Sequence, residues 1–203
     1  MLIKSFELGH IQTNCYIVSD EKTLECAVID PGADSNTILH YLEENKLKCV
    51  YILLTHGHFD HTGAVEGVME STGAKVCMSP RDAKRNITEM FYKYAPPKGT
   101  VFIKNGDRLK VGSLEFEVIE TPGHSEGSVT FRCDDALFTG DTLFRDSCGR
   151  TDLPGCNGKD MMKSLKKLYE LEGDYDVYPG HMEGTTLDRE RKFNYFMKQA
   201  AEE

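Results

Sequence analysis

Apolar residues recur along the chain with two spacings, one typical of strands and one typical of helices. Turn residues such as Asp30-Pro31-Gly32 end the early strand-like runs. Ile38, Leu39 and Leu42 then fall on one face of a predicted helix. The almost continuous apolar run at 49–54 favours a central strand buried on both faces. The predicted elements of this half are strands 2–8, 14–19, 25–29, 49–54 and 75–78, and helices 35–45 and 62–71.

The second half repeats this alternation of strands and helices. It contains predicted strands 101–103, 108–111, 114–120, 128–133, 136–139 and 176–178, and helices 159–171 and 187–201. Strands followed by a helix in each half predict two β-sheets covered by helices on both outer sides. No linker composition interrupts the chain, so we expect a single domain over 1–203.

Residues 86–100 follow neither spacing. They contain Pro96-Pro97 and the aromatic residues Phe91, Tyr92 and Tyr94, which together predict an irregular excursion over the surface. A flap on the substrate side and a plain connecting loop are both consistent with this composition.

Composition narrows the classes of partner. The net charge of −9 argues against a nucleic-acid surface, which needs a basic face. No run of residues approaches the roughly 20 apolar residues of a membrane span, so no membrane partner is expected. Seven dispersed cysteines, an odd number, predict mostly reduced core thiols and a cytoplasmic location. The sequence leaves the oligomeric state unassigned.

The segment 56–61 concentrates residues that bind metals. It holds His56, His58, Asp60 and His61, and three of the seven histidines in the chain. In an extended segment His56 and His58 point to the same side, so they can bind one ion. Asp60 and His61 are adjacent and need a turn to converge. The spacing therefore predicts two neighbouring metal sites, each with two ligands from this loop.

Further histidine and aspartate side chains follow later strands singly. His124, Asp141 and His181 each come just past a predicted strand and next to a glycine, which permits a tight turn of the backbone. They are candidates for the remaining ligands, although turn residues at strand ends have the same composition. His10 and His40 receive no role.

The order His56-x-His58-x-Asp60-His61, then His124, Asp141 and His181, resembles the metallo-β-lactamase-fold hydrolases over essentially the whole chain. The resemblance implies an α/β fold, a four-layer αββα sandwich of two mixed β-sheets with helices on both outer faces. It implies a first metal ion bound by His56, His58 and His124. It implies a second ion bound by Asp60, His61 and His181, with Asp141 between the two.

Within that family, position 141 separates the branches. One subclass of β-lactamases has a cysteine ligand where this chain has Asp141, so antibiotic hydrolysis is not favoured. The segments 140–144, 148–155 and 184–191 resemble the glyoxalase II-like hydrolases. Full-length members of that group have a further C-terminal helical region that helps to hold glutathione. This chain ends soon after the predicted helix that contains Phe193 and Phe196, so the thiol carrier stays unassigned.

The resemblance implies a dinuclear, metal-dependent hydrolase of a small-molecule hydroxyacyl-thioester or similar small ester. Two divalent metal ions are the expected cofactors, with zinc favoured and iron or manganese as alternatives. Metal-bound hydroxide would attack the thioester carbonyl, and Asp60 is the candidate catalytic residue that orients it. Asp30, Thr55 and Thr139 are candidates for contacts that hold the ligands in place.

Three other interpretations remain open. Residues 148–152 also resemble persulfide dioxygenases, which would use one iron bound by two histidines and an aspartate. Lactonase or phosphodiesterase activity is less favoured, and a non-catalytic, metal-stabilised binding protein is the third. Cys148 and Arg150 are candidates for substrate contact at the entrance, where Arg150 would hold a carboxylate; a solvated loop arginine and an inert thiol are the alternative.

Overall fold

The first half of the chain forms a six-stranded sheet whose strands stand in chain order in the computed structural model, which describes residues 1–83 and 94–202. Its strands are β1 (Leu2–Leu8), β2 (Thr13–Ser19), β3 (Glu25–Ile29), β4 (Lys48–Leu53), β5 (Lys75–Met78) and β6 (Val101–Phe102). Its helices are α1 (Ser35–Glu44), α2 (Phe59–Thr62) and α3 (Val65–Thr72). Strands β1 to β3 pair antiparallel and β3 to β6 pair parallel, so the sheet is mixed.

The second half forms another mixed sheet. Its strands are β7 (Arg108–Val111), β8 (Leu114–Glu120), β9 (Val129–Cys133), β10 (Ala136–Gly140), β13 (Asp176–Pro179) and β14 (Thr185–Thr186), in the order β14-β13-β10-β9-β8-β7. A small hairpin of β11 (Leu143–Phe144) and β12 (Ser147–Cys148) follows β10. The helices are α4 (Gly158–Tyr169), α5 (Leu187–Phe193) and α6 (Tyr195–Glu202). Only β10 and β13 pair parallel in this sheet, as far as the structure describes it.

Apolar side chains on both faces of the strands bind the layers together. In β3, Cys26 and Val28 pack with Ile38 of α1, whereas Ala27 and Ile29 face the second sheet. A third apolar cluster lies between the second sheet and helices α4 to α6. The layers therefore follow the order helices, sheet, sheet, helices. The predicted four-layer αββα sandwich is confirmed.

The last predicted helix, 187–201, is wrong as a single element. The chain breaks at Asn194, whose backbone is extended, with φ −71° and ψ 118°. Its Nδ2 donates to the carbonyl oxygens of Phe144 and Ser147, at 3.3 and 2.9 Å. Its Oδ1 accepts from the backbone N–H groups of Phe196 and Met197, the start of α6. One side chain thus caps α6 and anchors the β11–β12 hairpin, which the helical pattern of 187–201 does not reveal.

The predicted helix 62–71 corresponds to α3, which begins three residues later than predicted, because Thr62 is the last residue of the separate short helix α2. The chain turns between them, where the N–H of Ala64 donates to the carbonyl of Pro31 at 2.9 Å instead of continuing a helix. The sequence did not predict strands β11, β12 and β14, because two residues are too few to show an alternation of apolar and polar side chains. Of the predicted excursion 86–100, residues 86–93 lie outside the described ranges; in 94–100 the chain has no helix or strand.

None of the helices in the described ranges has the length and apolar character to cross a bilayer. All seven cysteines lie in the described ranges, five of them buried, and none forms a disulfide.

We predict that Asn194→Ala lowers the free energy of unfolding by about 2–3 kcal/mol, because a buried residue loses a helix cap and several hydrogen bonds. Urea denaturation of the metal-free protein measures this value. Asn45→Ala is the control, since exposed Asn45 gives its side-chain amide only to the carbonyl of Tyr41 among the hydrogen bonds described. Equal losses in the two variants would contradict the anchoring role of Asn194.

Candidate metal centre

The structure brings all seven predicted ligands together where the two sheets meet. They leave successive strand ends: His56 and His58 follow β4, Asp60 and His61 lie in α2, His124 follows β8, Asp141 follows β10 and His181 follows β13. The first sheet therefore supplies four of these side chains and the second supplies three. Their assembly from distant segments is the arrangement that the sequence predicts.

Three imidazoles form the first group of candidate ligands. His58 Nδ1 lies 2.9 Å from His56 Nε2 and 2.9 Å from His124 Nε2, and all three rings are buried. Burial and the neighbouring imidazoles lower the pKa of His56 and lower the pKa of His58 to about 3. These two rings are therefore neutral at pH 7 and keep nitrogen lone pairs available to a metal ion.

Asp60, His61 and His181 form the second group. His181 Nε2 lies 3.2 Å from Asp60 Oδ2 and 3.4 Å from His61 Nε2. Burial opposes the charge on His61, but Asp141, Asp30 and Asp60 outweigh it and raise the pKa of His61 to about 9. Burial likewise opposes ionisation of Asp60, yet the hydrogen bond from His181 and the charge of His61 lower its pKa. Without a metal ion, protons on the imidazoles therefore balance the carboxylates.

Asp141 lies between the two groups. Its Oδ2 is 3.3 Å from His124 Nε2 and 3.6 Å from His181 Nε2, and its Oδ1 is 3.4 Å from His61 Nε2. Oδ1 is buried, and no hydrogen-bond partner for it is present among the described residues. A buried carboxylate oxygen without a partner is costly unless a cation lies beside it. This oxygen and the set of imidazole and carboxylate donors fit bound metal ions.

Hydrogen bonds at the far side of the rings orient them. His61 Nδ1 lies 2.9 Å from Asp30 Oδ2, and Asp30 also accepts from the backbone and hydroxyl of Thr55, at 2.8 and 2.6 Å. His124 Nδ1 lies 3.0 Å from the carbonyl oxygen of Arg150, which only accepts, so Nδ1 donates and Nε2 faces the site. Asp30 and Thr55 thus occupy the predicted supporting positions. Thr139 does not: its hydroxyl donates to the carbonyl of Leu143 and holds the β11–β12 hairpin.

Gly180 shows why a glycine precedes His181. A Cβ at position 180 would lie 2.3 Å from Asp141 Oδ1 and 2.7 Å from the His61 ring. The absence of a side chain is therefore needed for close approach to the ligands, rather than for a tight turn as the sequence alone suggests.

The sequence also matches the model of a known protein family. The model of the metallo-beta-lactamase superfamily matches residues 8–189. The chain belongs to this superfamily. Two curated relatives match almost end to end. The hydroxyacylglutathione hydrolase GloC of Haemophilus influenzae is 30% identical over 97% of this chain and 98% of its own length. The probable metallo-hydrolase YqgX of Bacillus subtilis is 34% identical over 94% of each chain.

Solved structures of the metallo-beta-lactamase superfamily superpose closely. TTHA1623 in a di-iron-bound form is 37% identical with a TM-score of 0.82, covering 95% of this chain and 99% of its own. ETHE1 from Myxococcus xanthus is 30% identical with a TM-score of 0.82, covering 96% and 84%. The BLEG-1 B3 metallo-beta-lactamase is 33% identical with a TM-score of 0.86, covering 97% and 99%. The predicted resemblance to this superfamily is confirmed.

In this superfamily member, Asp82 is a supporting residue that sequence reasoning missed. Its Oδ2 accepts from the N–H of Gly57 at 3.0 Å and from the hydroxyl of Ser125 at 2.7 Å, and its Oδ1 accepts from the N–H of Gly127 at 2.7 Å. Gly57 separates two ligands of the first group, and Ser125 follows the third. A Cβ at Gly127 would lie 2.5 Å from Asp82 Oδ1, and one at Gly57 would make a tight contact of 3.1 Å with Asp82, so these two glycines are the signal that the sequence contained. Asp82 thus holds together the two loops that carry this group.

A cleft of about 400 Å³ opens above both groups of ligands. Its lining includes the predicted substrate residues Cys148 and Arg150. The guanidinium of Arg150 pairs with both carboxylate oxygens of Asp152, at 2.8 Å each. Burial raises the pKa of the Cys148 thiol to about 11, so this thiol is protonated at neutral pH. The structure places both residues at the entrance, and their roles in substrate binding stay predictions.

Protonation of the second group predicts that metal binding releases protons. Below pH 9 His61 carries a proton that a divalent ion must displace, whereas His56 and His58 are already neutral. We expect binding of the ion at the second group to release at least one proton at pH 7 and its affinity to fall as pH decreases. Calorimetric titration in two buffers of different ionisation enthalpy measures the release. The same titration at pH 10 is the control, and release that is absent at pH 7 would contradict the charge assignment.

Asp82→Asn is expected to weaken metal binding at the first group about tenfold or more, because one acceptor oxygen becomes a donor and a loop loses its partner. Titration of the metal-free protein with Zn²⁺ against a competing chelator resolves the two ions. Asp20→Asn is a matched control, since Asp20 also accepts from two backbone N–H groups and one hydroxyl, those of Lys22, Ser113 and Thr23. Equal effects of both variants on both ions would show that Asp82 stabilises the fold alone.

Proposed function

We propose that the protein is a dinuclear metal-dependent hydrolase that cleaves a small thioester or a similar small ester. The observation that carries this proposal is the pair of complete ligand groups with buried Asp141 between them, beneath an open cleft. The near full-length likeness to a protein named hydroxyacylglutathione hydrolase supports the thioester class. The partner is a small molecule rather than nucleic acid or membrane, and the expected location is the cytoplasm.

The proposed cofactors are two divalent ions, with zinc favoured and iron or manganese as alternatives. His56, His58 and His124 would hold one ion, and Asp60, His61 and His181 the other, with Asp141 shared. Two such ions, when bound, lower the pKa of water and polarise a carbonyl oxygen. The di-iron-bound form of a similar protein keeps iron among the candidates.

Asp60 is the proposed catalytic residue of the chain. Its carboxylate is ionised at neutral pH, because its pKa is lowered, and it therefore only accepts hydrogen bonds. The hydroxyl of Thr13 donates to Oδ2 at 3.3 Å and fixes this oxygen beside His181. In this position Asp60 accepts a hydrogen bond from the attacking water. This bond orients the oxygen of the water toward the thioester carbonyl. The thiol departs as thiolate, which needs no strong acid.

A persulfide dioxygenase is the second candidate. It is favoured by the likeness to ETHE1 from Myxococcus xanthus and by residues 148–152. Such an enzyme would use a single iron with two histidines and an aspartate, which is fewer donors than the site contains. Two separate groups of three donors, each within 4.8 Å of one another, favour the dinuclear hydrolase.

Metal analysis of purified protein combined with two assays separates the candidates. We expect two divalent ions per chain, hydrolysis of S-lactoylglutathione or a simple thioester, and no oxygen uptake. Asp60→Asn should lower kcat by about 100-fold or more, because it removes the negative charge that orients water and replaces one acceptor oxygen with an NH2 donor. Asp134→Asn, at an exposed turn, is the control. One iron per chain with oxygen uptake on glutathione persulfide would overturn the hydrolase proposal.

A further inference from the structure

The rim of the cleft is apolar and exposed. Ile11, Phe59 and Met182 line the cleft with 51%, 44% and 57% of their surface exposed. Phe59 directly precedes Asp60, and Met182 directly follows His181, so the rim is continuous with the candidate ligands. Large exposed apolar side chains grouped around a cleft are typical of a surface that binds a ligand.

Met182 is held on this rim in a strained conformation. Its φ is +66°, in the left-handed region where glycine and asparagine are favoured over other residues. Asn14 Nδ2 donates to the carbonyl of Met182 at 2.8 Å and keeps the backbone there. A strained backbone that presents an apolar side chain to solvent, directly beside the candidate metal ligand His181, points to a role of Met182 in substrate binding.

The arginines beside the cleft are already paired with carboxylates. Arg150 is the only lysine or arginine among the described residues of the lining, and Asp152 binds it through two nitrogens. Arg145, next to the lining residue Phe144, pairs with Glu183 at 2.6 Å. A glutathione-like carrier has two carboxylates that would compete with Asp152 and Glu183 for these cations. The rim therefore favours an uncharged group.

We propose that the part of the substrate lying against Ile11, Phe59 and Met182 is an uncharged alkyl or aryl group in the thiol portion of the thioester. This inference rests on the proposed hydrolase function and specifies its substrate. The reaction joins the oxygen of water to the carbonyl carbon and breaks the C–S bond, whose electron pair leaves with the sulfur. One proton of the water goes to the thiolate and the other to solvent, which gives a carboxylate, a thiol and a free proton. The apolar rim contributes binding energy to the group that is not transformed.

Two thioesters with the same acyl group test the proposal on the metal-loaded enzyme. S-lactoylglutathione has an anionic carrier, and the S-lactoyl thioester of benzyl mercaptan has an uncharged aryl carrier. We expect kcat/KM to be at least about tenfold higher for the benzyl thioester. A higher kcat/KM for S-lactoylglutathione would overturn this inference and leave the proposed hydrolase function intact.

The variant Met182→Asn tests whether the rim causes the preference for the benzyl thioester. Asparagine tolerates a positive φ, so the fold should be retained while the apolar side chain is removed. We expect the ratio of the two kcat/KM values, benzyl over glutathione, to fall about three- to tenfold. Leu24→Asn is a matched control, since Leu24 also has a positive φ of 59° and is 42% exposed, away from the cleft lining. Equal ratios in the two variants would overturn the role of the rim.

If neither thioester is hydrolysed, the result counts against the proposed function, and binding of unreactive probes then tests the apolar rim. The probes are then N-acetyl-S-benzylcysteamine, which is uncharged, and S-benzylglutathione, titrated calorimetrically into the metal-loaded protein. Tighter binding of the uncharged probe, weakened by Met182→Asn and not by Leu24→Asn, would support the apolar rim. Tighter binding of S-benzylglutathione would overturn it.

Discussion

Asp141 is 8% exposed, and its two carboxylate oxygens lie within 3.6 Å of imidazole nitrogens from three separate loops. A carboxylate in such a place is stabilised by positive charge beside it, since its desolvation is otherwise unfavourable. The chain provides this charge with protons on imidazoles, and metal ions would provide it more completely. The glycine at 180 lets His61 and Asp141 approach each other, and the contact with Asp30 stabilises the proton on His61.

The same constraint explains the different pKa values within one cluster of rings. His56 and His58 lie beside other imidazoles and are neutral, whereas His61 lies among Asp30, Asp60 and Asp141 and retains a proton. Residue type alone does not distinguish these rings. Their surroundings divide the site into one group ready for a metal ion and another that must first lose a proton.

The sequence predicted which side chains converge at this site because they follow apolar strand segments, and because four of them stand within six residues. It did not predict Asp82, since the partners of Asp82 lie 25, 43 and 45 residues away and one acid in a turn resembles any other. The break at Asn194 was equally hidden. The helical pattern on both sides of it is sound, and the cause of the break is the pair of carbonyls that the hairpin presents.

Each group of candidate ligands combines residues from both sheets, which links metal binding to the folding of the chain. Neither half holds a complete set: the first group takes two histidines from the first sheet and His124 from the second, and the other group takes Asp60 and His61 from the first and His181 from the second. Each bound ion would therefore act as a cross-link between the halves, closed only after the sheets have stacked. Affinity for metal and docking of the two sheets are then thermodynamically linked, so metal supply sets part of the stability of the folded state.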